Sequence, residues 1–130
     1  FLGWMKGAKS DFTNSFAALG KLLETGVVEG PLSKAGAALG RWQEKWQARL
    51  RRQPKSKDEA AAAMRCANPL VIPRNHRVEE ALEAAASGDF AVMQRLVQAL
   101  EHPGRETAAN EPYRIAPHAS SVPYRTFCGT

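Results

Sequence analysis

Thiols are scarce in this 130-residue chain: Cys66 and Cys128 are its two cysteines. Two cannot build a disulfide framework, and such usage fits a reducing, intracellular setting. β-Branched residues are thin as well, whereas 22 positions are alanine, the strongest helix former, and that balance excludes a β-sandwich or barrel. No stretch approaches the ~18 consecutive apolar residues that a membrane-spanning helix needs. The opening Phe1-Leu2-Gly3-Trp4-Met5 has neither an initiator methionine nor the charged-then-apolar pattern of a signal peptide. The expectation is a piece of a longer protein.

Several kinds of chemistry lack their residues. Backbone N–H groups can cradle a phosphate only where glycines lie close together, and the pairs Gly26/Gly30 and Gly36/Gly40 are too widely spaced. Asp11-Phe12 and Asp89-Phe90 are followed by Thr13 and Ala91 rather than glycine, so both read as helix caps, not as the Mg²⁺-binding Asp-Phe-Gly of kinases. His76, His102 and His118 are scattered, with no partner at metal-ligand spacing. Cys66 has no nearby histidine, and Glu79, Glu80 and Glu83 fall on a helix exterior. No complete catalytic constellation is present.

What remains is helical pattern. Apolar residues at 44% and charged ones at 24% suit a folded domain rather than a disordered chain. Asp11 caps a helix over about 12–24, with Phe12, Phe16, Leu19, Leu22 and Leu23 at helical spacing. A second runs over about 34–52, where Leu39, Trp42, Trp46 and Leu50 form one stripe, read as core. Ser56 with Glu59 is a capping-box signature that opens a third helix, ended by Asn68-Pro69. Residues 69–73 then form an extended connector. A fourth helix covers about 74–87, with Val78, Ala81, Leu82 and Ala85 inward and Gly88 as its stop. Asp89 caps a fifth, whose apolar face is Phe90, Met93, Leu96, Val97 and Leu100. The fold class is therefore all-α, about five helices over residues 1–103 followed by an irregular proline-containing tail over 104–130. Docking of that tail would fall to Tyr113, Ile115, Tyr124 and Phe127.

Charge is uneven. Lys and Arg outnumber Asp and Glu by 18 to 13, a net +5, and Arg41, Lys45, Arg49, Arg51, Arg52, Lys55 and Lys57 cluster against a single Glu44. The run reads as a solvated helix face passing into a linker. The rival reading is a standalone basic helical module that binds nucleic acid or a protein partner, which would lose affinity steeply with salt.

The run Asn68-Pro-Leu-Val-Ile-Pro-Arg-Asn-His76, followed by Val78-Glu-Glu-Ala-Leu82 and Ala84-Ala-Ala-Ser-Gly-Asp89, resembles the C-terminal region of the selenoprotein O (SelO/YdiU) family. The ending Tyr124-Arg-Thr-Phe-Cys-Gly-Thr130 and the segment Asp11-Phe-Thr-Asn-Ser-Phe16 are similar to that family too. After Pro103 the chain departs from the family pattern, with Gly104-Arg105-Glu106-Thr107 in place of Pro-Tyr-Asp/Glu. The resemblance implies the C-terminal helical part of a kinase-like protein adenylyltransferase, which moves AMP from ATP to Ser, Thr or Tyr hydroxyls of proteins. It implies that ATP and Mg²⁺ belong to an upstream lobe and that this segment has no nucleotide or metal site of its own. Its partners would be that lobe and the parent's protein substrates, with no membrane and no nucleic acid, in the cytoplasm. It implies a redox role for Cys128, paired with a second thiol. Asn68, Pro69, Arg74, Asn75 and His76 are expected to be structural, satisfying orphan helix N–H groups or the carbonyls of the preceding connector.

Overall fold

The computed structural model describes residues 1–117. Among these there are seven α-helices and one 3₁₀ turn, with no strand: α1 Leu2–Gly7, α2 Phe12–Thr25, the 3₁₀ turn Gly30–Lys34, α3 Gly36–Leu50, α4 Lys57–Ala67, α5 Asn75–Ala86, α6 Ala91–Glu101 and α7 Glu111–Arg114. The all-α class and the five longer helices match the sequence reading. The two short helices α1 and α7 and the 3₁₀ turn are additional. The backbone divides into two compact units, the first Phe1–Leu70 and the second from Val71 onward.

In the first unit the caps act as their residue types dictate. Asp11 accepts a 2.8 Å bond from the Asn14 N–H at the start of α2. Ser56 Oγ accepts from the Glu59 N–H while the Glu59 carboxylate accepts from the Ser56 N–H, so both halves of the capping box form. That contact also holds the Glu59 carboxyl below its ordinary value, the Ser56 backbone being the largest cause. Gly26 ends α2 at φ 75°, returning its N–H to the Leu22 carbonyl, a left-handed position that a Cβ would strain.

The core is small. Leu19, Leu22, Leu32, Ala35 and Leu39 are buried, with Phe1, Trp4, Trp42, Trp46 and Met64 packed around them. α2 packs on α4, where Gly20 and Met64 meet. Aromatic contacts extend the core outward, with Phe1 4.7 Å from Trp42 and Trp42 stacked on Trp46 at 5.4 Å. The tryptophan stripe is therefore core, as its spacing indicates, though half-buried. Phe12, by contrast, is 64% exposed and lies off the inward face of α2.

The second unit is built on a helical hairpin. α5 packs on α6, joined through Gly88 at φ 93°. Asp89 does not cap α6 directly. Its carboxylate accepts from the Ala91 N–H across the Phe90 N-cap, a local turn bond one residue early. Ala81, Leu96 and Ala99 are buried, but Leu82, Phe90 and Val97, expected inward, are exposed. A hairpin covers each helix along one narrow line, so residues about 100° to the side of that line stay in solvent. The 104–117 stretch is not wholly irregular, since it contains α7. Its Ile115 is exposed and its Tyr113 half-buried, while Tyr124 and Phe127 lie outside the described residues.

Candidate functional site: an arginine clamp on the second unit

The motif that carries the family resemblance lies across the junction of the two units, and each half has its own task. Asn68 closes α4: its N–H and its Nδ2 both donate to the Met64 carbonyl, the side-chain bond at 2.7 Å. Pro69 then forbids helix continuation, and no helix resumes until Asn75. On the second unit Val71 is 1% exposed and its N–H donates to the Pro103 carbonyl, fastening the connector to the end of α6.

Arg74 is the N-cap of α5 and is buried at 7% exposure. Its side chain does not cap its own helix. Instead Nη2 donates to the Arg114 carbonyl at 3.1 Å, forty residues along the chain. Arg77, one turn into α5, donates through Nη2 to the Pro112 carbonyl at 3.1 Å and through Nη1 to Glu80 at 2.8 Å. Two guanidinium groups thus hold carbonyls at the C-terminal end of α7. The last carbonyls of a helix are the ones its own ladder leaves for such outside donors. The sequence reading points to orphan helix N–H groups or the carbonyls of the preceding connector; this carbonyl belongs to a different segment.

The other side of the clamp is self-supporting. Buried Asn110 donates through Nδ2 to the carbonyls of His102 and Arg105, and its own N–H donates to Thr107. Arg114 Nη1 pairs with Glu106 at 2.9 Å and with Glu111 at 3.1 Å. Asn110, Arg77 and Arg114 were not singled out from sequence. The signals were Thr107 three residues before Asn110, and Pro112 in the first turn of a helix, where its missing N–H costs nothing.

Asn75 is exposed and takes no part in the clamp. His76 is half-buried. Desolvation, followed by the positive charge of Arg77, pushes its imidazole below the ordinary value, with Arg74 acting in the same direction and Glu80 and Glu79 against it. Cys66 is exposed on α4. The buried line of that helix runs through Ala60 and Ala61, and position 66 lies off it. Cys128 lies outside the described residues. Among the described residues no three His, Cys, Asp or Glu side chains gather as a metal site, and no helix is long and apolar enough to cross a membrane.

Comparison with known proteins places the chain in context. It is 48% identical, over 97% of its length, to a protein nucleotidyltransferase YdiU of Bacillus mycoides. Matching proteins of the same description from Bacillus cereus and Bacillus anthracis are 46% and 44% identical over 99% of the chain. The chain spans about a quarter of the length of these curated relatives. No family model matches it, and no solved structure does.

Proposed function

Because nearly the whole chain is a homologous segment of the SelO/YdiU nucleotidyltransferases, we propose that it is the C-terminal helical part of a protein adenylyltransferase. The parent carries out attack by a protein hydroxyl on the α-phosphorus of ATP. One P–O bond forms, the bond to the β-phosphate breaks, and pyrophosphate and the hydroxyl proton leave. Mg²⁺ supplies charge neutralisation for such a transfer, and the donors for it and for ATP belong to the upstream kinase-like lobe. The residues of this segment brace that lobe. The observation that carries the reading is the identity of 43–48% over nearly the full chain. The clamp supports a bracing role, because its guanidinium groups are spent on backbone carbonyls.

Cys128 is the redox group in this reading. It pairs with a second thiol of the parent: its thiolate attacks a small disulfide such as oxidised glutathione and releases one thiolate, and the second protein thiolate then displaces the other to close the protein disulfide. The protein acts in the cytoplasm on protein substrates.

Three measurements test this. Titration calorimetry of ATP with Mg²⁺ is expected to give no binding heat with the 130-residue chain and a clear isotherm with the full-length protein. ATP affinity in the short chain overturns the division of labour. Transfer of AMP to protein, read by mass shift, is expected from the full-length protein alone, and its absence there overturns the activity. Cys128→Ser in the full-length protein is expected to leave transfer intact under reducing conditions and to abolish its response to oxidised glutathione.

A further inference from the structure

The second half of α3, the loop that follows it, the start of α4 and the C-terminal half of α2 enclose a cavity of about 400 Å³ on the first unit. Its floor is apolar, formed by Leu22, Trp46 and Leu50. One face of Trp46 is already stacked on Trp42, with 17° between the rings, so the wall is rigid. From α3 the amides of Gln43 and Gln47 line the side, each offering both a donor and an acceptor.

The rim is positive. Arg51, Lys55 and Lys57 line it, and no carboxylate does among the described residues. The acids nearby are engaged elsewhere: Glu59 is folded back onto the Ser56 N–H, and the Glu24 carboxylate pairs with Arg65. Lys57 Nζ donates to the Glu24 carbonyl at 3.3 Å, which fixes the amine without cancelling its charge. The field at the mouth is therefore net positive, three cations against the one Glu59 carboxylate that Lys55 faces, and it favours anions.

We propose that this cavity is a docking site for an acidic peptide segment of a partner protein. One apolar side chain enters over Leu22, Trp46 and Leu50, the peptide backbone meets the glutamine amides, and flanking carboxylates face Arg51, Lys55 and Lys57. The cavity volume sits at the small end of the range for ligand sites, about 300–1,000 Å³, which suits a single anchoring side chain. Nucleic acid fits less well, since stacking needs open aromatic faces and Trp46 has one face covered. The inference goes beyond the transferase reading and does not depend on it, because docking needs no nucleotide.

The experiment is fluorescence anisotropy with the full-length protein and a fluorescein-labelled short peptide bearing one leucine between glutamates. Binding is expected to weaken by at least about tenfold in the Arg51→Glu/Lys55→Glu variant, whose substitutions lie on the exposed rim and spare the core. Gln47→Trp, which fills the cavity from its edge, is expected to abolish binding. Replacing the peptide's leucine by serine, or its glutamates by glutamines, is expected to cost as much as the charge reversal. Equal binding of either altered peptide overturns the proposal. So does displacement by a single-stranded oligonucleotide that binds Gln47→Trp undiminished, which would identify a phosphate strip. Failure of the full-length protein to bind the peptide at all, with amides 43–57 protected from hydrogen exchange, overturns it in favour of an intramolecular occupant. None of these readings depends on AMP transfer, so docking and activity fail separately.

Discussion

Arg74 concentrates much of the second unit's specificity in one side chain. A buried guanidinium needs partners for its donors, and Nη2 finds one in the Arg114 carbonyl. Arg74→Met keeps the length and removes the donors, leaving that carbonyl without the bond. The expected loss is about 2 kcal/mol, typical of a hydrogen bond to a charged group, read as a lower urea midpoint. Arg74→Lys is expected to recover only part of it, because an ammonium cannot reproduce the planar fork. His76 makes a second prediction with a definite sign. Its folded-state value lies below the ordinary 6.5, through burial first and Arg77 second, so the unfolded chain binds the proton more tightly. The stability it contributes is complete above that ordinary value and is lost as pH falls from there through the folded-state value. The midpoint of unfolding should fall on acidification to about pH 5.5, the fall being smaller in His76→Gln; an identical pH profile in the variant would refute the assignment.

At the scale of elements, the caps carry the order that propensity alone leaves open. Ser56 and Glu59 start α4 reciprocally, and Ser56→Ala is expected to cost about 1 kcal/mol with the helix's first-turn amides exchanging faster. The same element shows what could be read beforehand. Capping box, Asn68-Pro69 stop and Gly88 turn are local chemistry, written in residues three or four apart, and each appears where the sequence places it. Exposure was less legible. Periodicity identifies an apolar face, but how wide a strip the neighbour covers depends on packing. Hence Leu82, Phe90 and Val97 face solvent although their spacing is helical, and Cys66 is exposed beside the buried line of α4. Thiol labelling of the folded chain should accordingly modify Cys66 at a rate close to that of a model peptide.

For the molecule as a whole, the motif 68–76 was recognisable as a unit while its work was not, because Arg74 and Arg77 act on carbonyls 40 and 35 residues away. Sequence spacing contains no record of such a pairing. Backbone carbonyls are offered by every residue type, so even the acceptor side of the clamp leaves no compositional trace. Within the second unit that long reach secures the chain at α7. A brace and a catalytic element respond differently to its loss. In the full-length protein, Arg74→Met combined with Arg77→Met is expected to lower the thermal midpoint by a few degrees. The KM for ATP and the kcat of AMP transfer at 25 °C should stay within about twofold of the parent if both guanidinium groups serve only the backbone carbonyls they hold. A large rise in that KM with an unchanged thermal midpoint would assign the arginines to the nucleotide instead.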